Sequence, residues 1–74
     1  MREITSYGYR LVHQNTGAPV YYEDIIRDIR GDEHVITGGR SPHKPSSTGR
    51  VYTARSREFF PTVFKLIWVE GATL

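Results

Sequence analysis

The sequence predicts a mainly β domain built of short antiparallel strands. Three features favour it: short runs rich in Val, Ile, Tyr and Thr, turn residues between these runs, and one long loop containing Gly and Pro in mid-chain. With a helical turn predicted just before the last strand, the pattern is typical of a small antiparallel SH3-like barrel or open sheet. The 74 residues suit one domain spanning 1–74, whose ends, 1–6 and 71–74, we expect to be flexible.

The first strands are predicted on either side of a turn. Apolar and polar side chains alternate along residues 7–13 well enough to predict a strand. Residues 14–17 contain the Asn and Gly that are typical of a turn. Pro19 then opens a second extended piece, at an edge or at the first strand position. One face of the first strand is expected to carry Tyr7, Tyr9, Leu11 and His13.

Residues 22–30 are ambiguous between a helix and a strand. Their apolar side chains fall at helical spacing, which gives the alternative of an α+β fold with a helix at 22–30. Against it stand three β-branched isoleucines and the Gly31-Asp32 pair, which suits a tight hairpin turn to a partner strand at 33–37. We predict a strand here.

The second half of the chain begins with the long loop, which we place at residues 37–50 because its glycines and prolines suit neither helix nor strand. A strand follows at residues 50–54, and residues 58–60 are extended because the residue before a proline avoids helical angles. Pro61 opens a helical turn over residues 61–64, and a buried strand at 66–69 closes the domain.

Charge is unevenly distributed, although the net charge is only +2. The acidic residues of the middle of the chain cluster between Glu23 and Glu33, whereas no carboxylate occurs from His34 to Arg57. A basic face of this kind suits an anionic partner, and loops of this length are often functional. The candidate binding residues are Arg40, His43, Lys44, Arg50, Arg55 and Arg57.

The large apolar side chains near the C-terminus are expected to form the core. A domain of this size has few other large apolar groups, so we assign Phe60, Phe64 and Trp68 to the interior. The five tyrosines are amphipathic and suit interfaces as well as the core.

Nothing in the sequence indicates enzyme chemistry, so we expect no catalytic activity, no cofactor and no small-molecule substrate. The chain has no cysteine, and His13, His34 and His43 lack the spacing of metal ligands. The Gly39–Lys44 stretch lacks the second Gly and the Ser/Thr of a nucleotide-binding P-loop. No apolar run is long enough to span a membrane, so we expect no membrane partner.

Two stretches, residues 38–52 and 58–69, resemble a group of very short proteins of tailed bacteriophages. The first contains the motif Gly-Gly-Arg-x-Pro-His-Lys-Pro-x-Ser-Thr-Gly-Arg-Val, and the resemblance extends over about residues 19–69. The chain is also similar in size to a small regulator of a Xanthomonas phage that binds the host's RNA polymerase. No functional residue is carried over from that regulator.

The resemblance implies a phage-encoded regulator in the cytoplasm of the bacterial host. On this expectation the chain binds a host protein, with RNA polymerase as the named candidate, and inhibits or redirects host transcription. The alternative is a small nucleic-acid-binding SH3-like module that uses the basic residues given above. A structural virion component is a further alternative. Because the acidic cluster offsets the cations, we expect nucleic acid to bind only weakly or indirectly.

Overall fold

The computed structural model describes residues 2–44 and 46–71, which contain seven strands and one 3₁₀ helix. The prediction of a mainly β domain with a helical turn before the last strand is confirmed. The elements are β1 (Thr5–Ser6), β2 (Tyr9–His13), β3 (Ile25–Arg27), β4 (Glu33–Arg40), β5 (Arg50–Thr53), β6 (Arg57–Phe59), the 3₁₀ helix (Pro61–Phe64) and β7 (Leu66–Glu70).

The strands form two open antiparallel sheets. The smaller sheet has the order β1-β2-β7, and the larger one is the meander β3-β4-β5-β6. In the larger sheet each strand follows its neighbour in sequence, whereas β7 returns from the far end of the chain to pair with β2. The alternative with a helix at 22–30 is wrong, because Ile25–Arg27 pairs with β4 as strand β3.

The N-terminal segment, expected to be flexible over residues 1–6, is held in the domain from Glu3 onward. Ile4 is fully buried, its N–H donates to the carbonyl of Val20 at 2.9 Å, and its carbonyl accepts from Leu11 at 3.0 Å. These contacts pack the segment against β2 and the chain at Val20, which the weak strand signal of the sequence did not indicate. Met1 and residues 72–74 lie outside the described residues.

The first predicted strand is shorter than expected, because it begins at Tyr9. Tyr7 and Gly8, with φ values of 48° and 82°, form the turn between β1 and β2. Paired positive φ angles of this kind are typical of the tight hairpin turns that match strand twist. Tyr7 therefore does not belong to the predicted face, whereas Tyr9, Leu11 and His13 alternate along β2 as expected. Val12, on the opposite face, is buried as well.

Strand β4 is longer than the predicted 33–37 and includes the first residues assigned to the long loop. It runs to Arg40, with a change of register between Ile36 and Gly38 where it pairs with β5. The loop proper spans residues 41–49. Glycine carries little strand propensity, so the extension depends on pairing with β5 and on packing that a sequence pattern does not record.

The core lies between the two sheets. Phe64 and Trp68 belong to it as predicted, with 3% and 5% exposure. Phe60 does not: it is 53% exposed, because adjacent residues in an extended chain point to opposite faces and Phe59 takes the inner one. The other buried apolar side chains of the described residues are Ile4, Leu11, Val12, Val20, Ile36, Val51, Pro61 and Leu66.

Trp68 joins the core to both ends of the long loop. Its Nε1–H donates to the carbonyl of Arg50 at 3.2 Å. The ring leaves no room for a side chain on the flanking glycines: a Cβ on Gly39 would lie 2.6 Å from Cζ2, and one on Gly49 would lie 2.7 Å from Cδ1. These glycines are therefore required by the close approach of the indole.

Asp28 organises the loop of the β3–β4 hairpin, residues 28–32. One carboxylate oxygen accepts from the backbone N–H groups of Arg30 at 2.9 Å and Asp32 at 3.0 Å. The other oxygen lies 3.0 Å from Nε2 of His34, and both side chains are largely buried. Burial would raise the pKa of the Asp28 carboxyl, but the hydrogen bonds from His34, Asp32 and Arg30 outweigh it and the pKa is lowered.

Substitution of Gly49 tests the indole packing, with Gly17 as a matched control. The two glycines have φ values of +78° and +75°, but no atom lies within 4 Å of a Cβ on Gly17. Gly17→Ala should cost about 1 kcal/mol of unfolding free energy from backbone strain alone. Gly49→Ala should cost about 1–3 kcal/mol more, because a Cβ there would overlap both the carbonyl oxygen of Arg40 and Cδ1 of Trp68. Urea unfolding measures both, and equal losses would contradict this close packing of Gly49.

Acid unfolding tests the role of Asp28. Because its pKa is lowered by folding, its stabilising contribution is present above the unfolded-state pKa of about 3.9 and is lost as the pH falls through the folded-state value. Asp28→Asn should lower the urea midpoint near neutral pH and reduce its fall in acid. Asp32→Asn, exposed in the same loop, is the control and should change little. An unchanged acid response in Asp28→Asn would contradict this role.

Candidate functional site

A concavity lies at the long loop, and we call it the loop pocket. It is open to solvent and has a volume of about 660 Å³. The ends of β4 and β5 form one wall, the loop residues another, and the chain leading into the 3₁₀ helix closes the rim. The side chains that matter for its chemistry are Arg40, His43, Lys44, Arg50, Glu58 and Phe60, together with the hydroxyls of Ser46, Ser47 and Thr48.

The loop is shaped by its own hydrogen bonds. The N–H of Ser41 donates to Oγ of Ser6 at 3.1 Å, which ties the start of the loop to β1. Further on, the N–H of Ser47 donates to the carbonyl of Lys44 at 3.0 Å, and the N–H of Gly49 donates to Oγ of Ser47 at 3.1 Å. These bonds order the backbone before any ligand arrives, which lowers the entropic cost of binding.

Two arginines face each other across the mouth of the loop. Arg40 and Arg50 are directly opposed in the β4–β5 register, and like charges in such a pair are unfavourable. Arg50 has several partners: it stacks 4.3 Å from the ring centre of Phe60, its Nη1 donates to the carbonyl of Gly49, and its Nε lies 3.7 Å from Glu58. The guanidinium of Arg50 is therefore held in place by contacts within the domain.

The other cations of the pocket are Arg40, His43 and Lys44. We call them uncommitted because none forms an ion pair among the described residues. Among residues 2–44 and 46–71, no carboxylate lies within 4 Å of the charged groups of Arg40, His43 or Lys44. All three side chains are exposed. Positive groups kept together without a carboxylate partner give the pocket a net attraction for an anion.

The structure divides the six predicted binding residues between two places. Arg40, His43, Lys44 and Arg50 meet in the loop pocket. Arg55 and Arg57 lie instead at the turn between β5 and β6, beside a second concavity of about 540 Å³ lined also by Tyr52. The guanidinium of Arg57 lies 5.1 Å from the ring centre of Phe59. The predicted set is thus not a single continuous site.

Two residues of the pocket rim were missed by the sequence reasoning, namely Glu58 and Phe60. Both lie on the outer face because they alternate with the inward-facing Phe59. The alternation of residues 58–60 was the available signal, since in an extended segment only one of two adjacent phenylalanines can face the core. Together they add one carboxylate and one exposed aromatic ring to the cationic wall.

His43, Lys44 and Ser47 also line another concavity, of about 500 Å³, that carries a carboxylate. There the hydroxyl of Tyr9 donates to Oε2 of Glu70 at 3.2 Å. The pKa of Tyr9 is raised, first by burial and then by its hydrogen bond to the carboxylate. Each of the two concavities at the loop therefore contains one acidic group, Glu58 in the loop pocket and Glu70 in this one.

The histidines lie apart from one another in the fold. His13 is on β2, His43 is on the loop, and His34 packs edge-on against Phe59 and Phe64 while it contacts Asp28. Within the described part of the chain, no group of three His, Cys, Asp or Glu side chains is placed to hold a metal ion. None of the helices described there is long and apolar enough to cross a membrane.

No protein-family model, curated protein or solved structure matches the chain at a level that shows kinship.

Unfolding measurements on Arg40→Gln test whether Arg40 serves the fold. Removing the charge while keeping the stem relieves the opposition to Arg50, so at low salt the variant should be more stable by about 0.2–1 kcal/mol. The gain should shrink at about 1 M salt, where the screening length is about 3 Å. Arg40→Lys keeps the charge and is the control. A loss of stability in Arg40→Gln at low salt would show that Arg40 supports the fold.

Proposed function

We propose that this chain is a small, non-enzymatic binding domain whose loop pocket holds an acidic surface of a host protein. One observation carries the proposal: Arg40, His43 and Lys44 stand exposed on a loop that is ordered by its own hydrogen bonds, and no described carboxylate pairs with them. Arg in particular can make paired hydrogen bonds to a carboxylate. The pairing of Arg40 with Arg50 is unfavourable for folding, which fits a role of Arg40 in binding rather than in stability.

The resemblance to small phage proteins supplies the biological setting. On that basis we propose a phage-encoded regulator that acts in the cytoplasm of the bacterial host, with RNA polymerase as the first partner to test. A binding surface on a protein of this size can block a host machine or redirect transcription without any chemistry of its own.

The alternative function is nucleic-acid binding. It is favoured by the hydroxyls of Ser46, Ser47 and Thr48, which share the pocket with the cations and would suit phosphate oxygens. Against it, Glu58 lines the loop pocket and Glu70 lines the adjoining concavity, so both would repel an extended phosphate backbone. We therefore rank a protein partner first.

Capture from host-cell lysate tests the proposed function. The immobilised chain should retain a host protein both before and after nuclease treatment. Replacing Arg40, His43 and Lys44 with Ala should weaken capture about tenfold or more, the effect of about 1.4 kcal/mol, because these side chains make the contact. RNA polymerase in the retained fraction would identify the partner named above.

The control for this experiment is the double variant Arg55→Ala, Arg57→Ala. It removes two arginine charges from the second concavity, so it separates loss of the pocket from loss of net charge. Capture should survive in the double variant, and both variants should melt near the unsubstituted chain. Capture that disappears with nuclease, together with DNA or RNA binding that falls steeply with salt, would put the nucleic-acid function first. Undiminished capture by the folded triple variant would exclude the loop pocket as the site.

A further inference from the structure

The loop pocket combines two kinds of surface within one opening. One wall carries the uncommitted cations Arg40 and Lys44, and the rim carries the ring of Phe60, which is 53% exposed. Aromatic and arginine side chains are both enriched at protein interfaces, so the two kinds of surface together suit a protein partner.

Arg50 packs against the ring of Phe60 and so orients the aromatic part of this surface. Its guanidinium lies 4.3 Å from the ring centre of Phe60 and is further fixed by the carbonyl of Gly49 and by Glu58. A guanidinium placed over a ring is favourable, so Phe60 is held in one orientation while much of its surface stays accessible. The anion-binding part is left to Arg40, which faces Arg50 across the sheet without a carboxylate of its own among the described residues.

The charges around the pocket favour a single negative group. Glu58 lies at the rim, and Glu70 borders the adjoining concavity that Lys44 also lines. A chain of phosphates would extend past the cations to one of these carboxylates. A single carboxylate side chain can stay among the cations, and its apolar neighbour can then use the ring of Phe60.

From this geometry we propose that the loop pocket recognises an acidic side chain next to an aromatic or aliphatic one in a protein partner. The carboxylate binds Arg40 and Lys44, and the apolar neighbour packs on Phe60. This specificity rests on the proposed function, since it describes the segment of the host protein that the loop would bind.

A peptide titration followed by the amide signals of the folded chain tests the specificity. The probe is Phe-Asp-Phe with blocked ends, which places an apolar neighbour on both sides of the carboxylate. Shifts should be confined to the loop and to the residues around Phe60. Phe-Asn-Phe should bind about tenfold more weakly or worse, because a charge-assisted bond is roughly twice as strong as a neutral one. Ala-Asp-Ala should be weakened similarly for lack of the contact with Phe60.

Variants of the chain show which residue recognises the carboxylate and which recognises the apolar neighbour. Arg40→Gln should abolish the difference between the Asp and Asn probes, and Phe60→Ala should abolish the difference between the Phe and Ala probes. Arg57→Gln, beside the second concavity, is the control and should keep both differences. Equal binding of all three probes to the unsubstituted chain would overturn the proposal, as would a short oligothymidine that binds the pocket more tightly than Phe-Asp-Phe at physiological salt.

Failure here is distinguishable from failure of the proposed function. If capture from lysate depends on the loop but the probes are not discriminated, the carboxylate-and-apolar specificity is wrong and the binding function stands. If the probes are discriminated as expected but no host protein is captured, the chemistry of the pocket is supported and the proposed host partner is wrong.

Discussion

The indole of Trp68 is the contact on which the loop pocket depends. It packs against Gly39 before the loop and Gly49 after it, and its Nε1–H donates to the carbonyl of Arg50. A single buried side chain on the last strand therefore fixes both ends of a loop that comes from the middle of the chain. Because β4 and β5 are held at this point, Arg40 is brought opposite Arg50, and the uncommitted cations are gathered at one opening.

Local patterns in the sequence were sufficient for much of the fold. The 3₁₀ helix at Pro61–Phe64 follows from a proline that pre-sets the first helical angle, and β5 follows from a run of β-branched and aromatic residues. The bounds of β4 and the burial of Ile4 could not be read in this way. Both depend on partners distant in sequence. Strand β4 is lengthened by pairing with β5, and Ile4 is held in the interior by hydrogen bonds to Val20 and Leu11.

The glycines of the loop motif show the same limit at the candidate site. From sequence they indicate freedom of the backbone angles, which is correct for Gly49 with its φ of +78°. Gly39 has no such angle, and what it needs is space beside the indole, a requirement that only the tertiary structure reveals. Likewise, composition identified the basic residues, but strand register decided that Arg40 and Arg50 meet while Arg55 and Arg57 lie elsewhere.

Some charged side chains of the described residues have hydrogen-bond or ion-pair partners within the domain, and others have none. At the β3–β4 loop, Asp28 accepts two backbone hydrogen bonds and contacts His34, so its charge is fully used in holding the hairpin. At the β4–β5 loop the backbone N–H groups of Ser41, Ser47 and Gly49 donate hydrogen bonds, but among the described residues no carboxylate pairs with Arg40 or Lys44. A backbone that is partly ordered before binding lowers the entropic cost of association, and these cations are available to a carboxylate of another protein. The two loops lie at the two ends of β4 and differ in whether their charged side chains have partners within the fold. For this reason we propose that the β4–β5 loop, and not the acidic β3–β4 loop, is the binding surface.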